Sequence, residues 1–376
     1  MRKLLVLLLV VGGFWFAYGK DIPEQGYQGV FENIKEDANG LKNNAEISSA
    51  LTELKQGAQQ LWGTLSEKVK PLDSGSDTEA ETVSKPELEK PADHSFSVHN
   101  IELGDSKSDV EKKAGKAKRS SENEYGTKWF TYHDNYHNFF MAAYNDDDKV
   151  SALYTNQDLI SSKQGIERGT PKKEVEAKLG EPLTKLRKGN VFYQIQNNGE
   201  YGLYKMENSY VTVFYDKHEN NTVTSIQIVD QKLEEDKKDY FTPGDQKLKQ
   251  GFEFQLFDLT NAARVNHNLN VLTWNEEVQG TARKHSDDMA ENNYFDHTNL
   301  AGKSPFDRMA DDDIAFRLAG ENLAAGQNSS IFAHEGLMNS LGHRENILRK
   351  DFRTLGVGVA FNNQEKPYYT ENYVTN

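Results

Sequence analysis

Two imidazoles, one carboxylate and one hydroxyl in the last third of the chain are of the types and settings that do chemistry. They are His297 in Phe295-Asp296-His297-Thr298, Glu321 in Gly320-Glu321-Asn322, and Ser340 with His343 in Asn339-Ser340-Leu341-Gly342-His343-Arg344. Two imidazoles and a carboxylate from three separate segments can make a His₂Glu zinc site with one open position, and imidazole suits such a metal better than a lone carboxylate does. The competing reading is structural: the three side chains hydrogen-bond the loops of a cleft and hold its shape. No H-E-x-x-H signature is present, and Ser340, two residues before Gly342-His343, does not sit in a nucleophile-elbow setting. The chain has no cysteine, which removes thiol nucleophiles, thiolate metal sites and disulfides together. No catalytic residue is assigned on these grounds, and hydrolysis is the less favoured chemistry.

The elements that must position these groups are legible around them. Phe252, Leu256, Leu259 and Ala263 form one helical stripe that ends near Asn268. A second helix runs from about Asn275 to Asn292, with Val278, Ala282, His285 and Met289 on one face, so His285 points into a core or toward a neighbouring loop. A short helix passes through Met338. Two strand-like runs close the chain, Leu355 to Phe361 and Tyr368 to Val374. Helices followed by a strand hairpin suit an α-β-α layered domain over 250–376. Glu335 lies five residues before Ser340, about 140° round a helix from it, and is no substitute ligand at that position.

Upstream, Ile101-Glu102-Leu103-Gly104 with Val110 and Gly115 recurs 65 residues later as Ile166-Glu167-Arg168-Gly169 with Val175 and Gly180. Each copy reads as a turn, a helix ending at its glycine, then Glu-Tyr-Gly and aromatic strands such as Phe139 to Tyr144 and Tyr210 to Tyr215. The reading for 96–231 is a duplicated small α+β unit, folded as one pseudo-symmetric domain. The three histidines of this region, His133, His137 and His218, sit among aromatics and acids and are given no role. Residues 20–95 read as a helical stalk and acidic linker. Ile47, Leu51, Leu54, Ala58, Leu61 and Leu65 form a helical seam fit for self-association or for lying on a neighbour. The stretch from 71 to 95 is rich in proline and acid and reads as solvated. Residues 1–19 carry Arg2 and Lys3, an apolar run from Leu4 to Ala17 and the small residues Ala17 and Gly19, the pattern of a signal peptide or signal anchor. The net charge of -14 argues against a nucleic-acid partner, which needs clustered Lys and Arg.

In order, Asn261-Ala262-Ala263-Arg264, Ala282 to Ser286, Phe295 to Thr298, Gly320 to Asn322, Met338 to Ile347 and Gly356 to Gly358 resemble the CAP superfamily. That family takes its name from cysteine-rich secretory proteins, antigen 5 and pathogenesis-related proteins. The bacterial form of its motifs reads N-x-x-R, A-x-x-H-S, F-x-H-[ST], G-E-N, W-M-x-S-x-G-H-R-x-N-I and G-V-G. Leu337 stands here in place of the usual tryptophan. The duplicated unit resembles the CAP-associated N-terminal domain of Gram-positive bacterial proteins. The resemblance implies an α-β-α sandwich with a central antiparallel sheet, and a cleft where many members gather two His and two Glu that bind a metal such as zinc in some. His297, Glu321 and His343 match three of those positions, and the second glutamate falls on Ser340.

The resulting expectation is an α+β protein, secreted or held at the cell surface, whose CAP cleft contacts a lipid, peptide or envelope ligand without catalysis. A metal-dependent hydrolase and a structural envelope or sporulation-type interaction protein are the alternatives. Everything after about residue 25 is expected outside the cytoplasm, since no second apolar run follows the leader pattern. Protease added to intact protoplasts should therefore digest the C-terminal domain; protection until lysis would refute the topology.

Overall fold

The computed structural model describes residues 83–376, so the leader pattern, the heptad helix and the start of the acidic linker lie outside the described residues. The first copy of the repeat holds β1 (Phe96–Val98), α1 (Lys107–Ala114), β2 (Arg119–Glu122), β3 (Lys128–Asp134), β4 (His137–Tyr144) and β5 (Val150–Thr155). The second holds β6 (Ile160–Ser162), α2 (Lys172–Leu179), β7 (Lys185–Lys188), β8 (Val191–Gln194), β9 (Tyr201–Met206), β10 (Ser209–Asp216) and β11 (Thr222–Asp230). After α3 (Gln231–Asp236) come α4 (Gln246–Asn266), β12 (Thr273–Trp274), α5 (Glu276–Asn292) and α6 (Pro305–Asp311). The chain closes with β13 (Leu318–Ala325), α7 (Ser330–Asn339), α8 (Leu341–Ile347), β14 (Thr354–Phe361) and β15 (Pro367–Thr375).

The repeat folds as one pseudo-symmetric sheet. Its strand order is β2-β3-β4-β5-β11-β10-β9, so the two copies meet at the antiparallel pair β5 and β11. The symmetry reaches single side chains. Tyr132 and Tyr144 share a hydroxyl contact of 2.8 Å in the first copy, and Tyr204 and Tyr215 one of 3.3 Å in the second. Lys107 lies over the Tyr144 ring and Lys172 over the Tyr215 ring. One face of the sheet is covered by its own helices, with Val110 and Val175 in a core that includes Tyr132, Phe140, Val213 and Ile226. The last residues of the expected linker are tied down too. Glu102 accepts hydrogen bonds from the backbone N–H groups of Ala92, Asp93 and His94, and Ser161 donates to the Glu89 carbonyl.

The opposite face carries Trp129, Phe139, Met141, Tyr154 and Phe214, and the C-terminal helices cover it with Leu259 and Ala262 of α4 and Ile331 of α7. Burying a leucine or isoleucine contributes about 1.5–3 kcal/mol relative to leaving it exposed, so this seam is part of the folding energy of both regions. A helix approaches the sheet edge closely: a Cβ at Gly251 of α4 would lie 2.1 Å from the Glu122 carbonyl oxygen. Polar pairs cross the seam. Arg344 and Asp216 form a buried salt bridge of 2.8 Å, and Asn339 donates to the Tyr215 carbonyl while accepting from the Lys217 N–H.

The C-terminal region is the expected α-β-α sandwich. Its sheet has the order β12-β14-β15-β13, antiparallel except that the two-residue β12 runs parallel to β14. Bulky Leu355, Val357 and Val359 pack toward the α4 side with Phe252 and Leu256. Alternate positions are small, and a Cβ at Gly358 would lie 2.2 Å from the Arg283 amide nitrogen, so α5 rests directly on the strand backbone. Helix α4 begins at Gln246, earlier than the apolar stripe suggests, because Asp245 caps it by accepting from the Leu248 N–H. β13 was not expected as a strand. Its sequence LAGENLAA has weak strand preference, and pairing with β15 along its whole length overrides that preference.

Glu335 of α7 faces the seam and accepts from the hydroxyls of Tyr154 (2.6 Å) and Ser225 (2.7 Å). Burial pushes its carboxyl from the ordinary 4.5 up to about 7; Asp216 adds to the rise, and Tyr154, Ser225 and Arg168 oppose it. Its folded pKa is raised, so the stability it confers is present below about 4.5 and is lost as pH rises to about 7. Glu335→Gln retains an acceptor and removes that slope. Urea unfolding should find the variant more stable than wild type at pH 8, by on the order of 3 kcal/mol or less, and close to it at pH 4.5. A difference that does not change with pH would refute this.

Candidate functional site

His297 lies on the loop between α5 and α6, Glu321 on β13, and His343 with Ser340 at the start of α8. His285 of α5 donates from Nε2 to the Asp296 carbonyl at 2.9 Å, as the carbonyl can only accept. Arg308 of α6 donates from Nη1 to the carbonyls of His297 (2.7 Å) and Lys303 (3.1 Å). Arg308 is held in turn by a helix whose start is fixed by reciprocal bonds between Ser304 and Asp307.

Glu321 is the centre of the arrangement. Its side chain is only 2% exposed. One oxygen accepts from His297 Nδ1 at 2.9 Å, and the other from Arg308 Nη2 at 2.6 Å. A carboxylate cannot donate, so His297 carries its proton on Nδ1 and turns the Nε2 lone pair to the cleft, where the ring is half exposed. His343 places Nδ1 2.8 Å from Ser340 Oγ. Burial lowers its pKa, and the neighbouring His297 lowers it further, so His343 favours the neutral form.

A layer of amides supports the two segments. Asn322 donates to the His343 carbonyl (3.1 Å) and to Glu371 (3.1 Å), while Asn346 donates to the Glu321 carbonyl (3.2 Å) and to Asn322 Oδ1 (2.9 Å). Glu371 is buried on β15, its carboxyl pushed up by burial, and it also accepts from Tyr373 and Thr260. Near the two histidines in the chain, Phe295 (53% exposed), Leu300 (66%), Phe306 (48%) and Leu341 (59%) stand out into solvent. A groove of about 420 Å³ runs behind the His297 loop, lined by His285, Leu300 and Arg308 among others.

The four expected residues therefore gather in two contacting pairs, His297 with Glu321 and Ser340 with His343. Glu335 stays outside the cleft, on the face of α7 that meets the repeat. Among the described residues no group of three His, Cys, Asp or Glu side chains is arranged to hold a metal ion. The donor set has a physical reason for that: both Glu321 oxygens already accept hydrogen bonds, one of them from a guanidinium.

Sequence reasoning gave no role to Arg308, Asn322, Asn346 or Glu371. Asn322 and Asn346 stood inside the quoted motifs. Glu371 had a signal of its own, an acid between Tyr369 and Tyr373 at strand period two, hence on the same buried face. Arg308 had none beyond the helix start at Ser304.

Comparison with known proteins agrees with this architecture. Residues 257–373 match the cysteine-rich secretory protein family, CAP, and residues 103–240 match the CAP-associated N-terminal family. The chain thus carries a CAP-associated N-terminal domain followed by a CAP domain. It is 28% identical over 289 residues to the uncharacterized membrane protein YlbC of Bacillus subtilis (strain 168), covering 72% of this chain and 82% of that one. It is 42% identical over 109 residues to the uncharacterized protein YkwD of the same organism, covering 29% of this chain and 42% of that one. An extracellular protein containing a SCP domain from Bacillus anthracis aligns with 78% of this chain and 100% of its own, at 26% identity and a TM-score of 0.63. A cysteine-rich secretory protein from Staphylococcus aureus shares the fold at 14% identity and a TM-score of 0.56, covering 73% and 91% of the two chains.

Neutral imidazole is the ligand form, so zinc binding at His297 and His343 should be weak near pH 7 and should fall away below about pH 6. Calorimetric titration should find binding lost when both are changed to Ala, weakened less by Glu321→Gln, and strengthened by Ser340→Glu. Equal binding by wild type and the double histidine variant would place the metal elsewhere.

Proposed function

We propose that this is an extracytoplasmic, non-enzymatic binding protein whose CAP cleft holds an amphipathic envelope ligand, a lipid or a peptide. The observation that carries the reading is where apolar surface is left uncovered. Six large hydrophobic side chains are exposed among the described residues, and four of them, Phe295, Leu300, Phe306 and Leu341, flank His297 and His343 in the chain. Apolar side chains around a few fixed polar groups are what an amphipathic ligand needs. The two imidazole Nε2 atoms would meet its polar end.

Hydrolysis has less support. The carboxylate that would serve as a base is neutralised by Arg308. Ser340 meets His343, but among the described residues no acid orients that histidine through its other nitrogen. The location outside the cytoplasm draws on the leader pattern, on the extracellular Bacillus anthracis protein and on a relative named as a membrane protein. No helix among the described residues is long and apolar enough to cross a membrane.

Mass spectrometry of material co-purifying with the full chain should identify an amphipathic ligand. Leu300→Asp with Leu341→Asp should lower its affinity about tenfold or more, each side chain having a transfer free energy above 1 kcal/mol, without changing Tm. Turnover of a peptide or ester substrate that disappears in His297→Ala would overturn the non-enzymatic reading in favour of the hydrolase. Unchanged ligand affinity in the double variant would show that the cleft is not the site.

A further inference from the structure

A second cavity, of about 450 Å³, lies between the second repeat copy and the turn that joins β13 to α7. Its size falls within the range of about 300–1,000 Å³ common for small-molecule sites. Both domains build it, and neither the CAP cleft nor the apolar rim contributes a residue.

The walls are aromatic. Tyr193 and Tyr240 stack with centroids 5.4 Å apart, and Tyr201 meets Phe332 edge-on at 5.2 Å. On the CAP side the lining is amide: Gln327 Oε1 and Asn328 Oδ1 are closed off from solvent, so the accessible groups of these two side chains are the Nε2 and Nδ2 donors.

The charge of the lining narrows the ligand further. It contains no Lys, Arg or His, which disfavours phosphate, carboxylate or any other anion. Its two carboxyl groups both have partners, Glu200 in Lys217 at 2.9 Å and Glu335 in the hydroxyls of Tyr154 and Ser225, and burial weighs against the charged form of Glu335. That arrangement disfavours a cation. The complementary molecule is uncharged, rich in hydroxyl or carbonyl acceptors, and has flat faces with C–H groups to lie on aromatic rings. A pyranose has all three properties.

We propose that this interdomain cavity binds a short segment of a neutral glycan, with sugar faces on Tyr201 and Tyr240 and hydroxyl or acetamido oxygens accepting from the amides of Gln327 and Asn328. Calorimetric titration of the full chain with chitotetraose and with cellotetraose tests it. Binding of either supports the proposal, and the preference between them reports whether the acetamido group is read. Tyr240→Ala and Gln327→Leu should each weaken that binding about tenfold, whereas His297→Ala in the CAP cleft should leave it unchanged. Tyr240 lies on the linker side of the cavity and Gln327 on a turn, so the two variants do not depend on one folding outcome. Failure of both saccharides to bind overturns the proposal, as does binding that survives both substitutions. Loss of binding in His297→Ala would place the sugar in the cleft instead. Binding of the neutral peptide acetyl-Phe-Leu-Phe-amide, sensitive to Tyr240→Ala while the sugars fail, would assign the cavity to an apolar peptide.

Discussion

A seven-stranded sheet that is apolar on both faces has to be covered twice, and the repeat supplies only one cover. Helices α1 and α2 seal one side. The other is closed by α4 and α7, which belong to the CAP domain. That constraint reaches the cleft. Helix α7 ends at Asn339, whose side chain is bonded to the backbone of Tyr215 and Lys217, and Arg344 of α8 is paired with Asp216. His343 lies between those two anchors. The position of one cleft imidazole is therefore set by the strand β10 of the neighbouring domain as well as by its own.

The other imidazole is set by charge. Glu321 is buried, and a buried carboxylate stripped of its partner costs about 3–5 kcal/mol. Arg308 supplies the compensating charge and, through its other nitrogen, fixes the backbone of His297. One guanidinium thus holds both the acid and the path of the loop, and the acid in turn sets the tautomer of the histidine. Both Glu321 oxygens are engaged within the protein. An acid that matches a family metal position is here an orienting partner for an imidazole.

The elements legible in the sequence were those whose periodicity reports burial directly. The stripe of Phe252, Leu256 and Leu259 marked α4, the face of Val278, Ala282, His285 and Met289 marked α5, and the closing runs marked β14 and β15. The two-fold repeat was visible because its glycines and valines recur at one spacing. β13 was hidden, since small and polar residues make a strand only when β15 is beside them. The run from Phe139 to Tyr144 was legible as a strand, but nothing local to it says which segment, more than a hundred residues on, covers its second face. In the site, motif singled out His297, Glu321, Ser340 and His343, which the fold joins as two contacting pairs. The setting of the pair of His297 with Glu321 was not legible, because it depends on Arg308, an arginine in a helix that carries no pattern of its own.

The contact at Gly251 has a consequence for chimeras. Helix α4 touches the edge strand through the one side chain that is missing, with the Glu122 carbonyl where a methyl would stand. Two modules joined by a flexible tether can be exchanged between proteins like beads on a string. These two are fitted as a mortise and tenon, and a CAP domain transplanted onto this repeat with alanine at that position would arrive with a wedge in the joint.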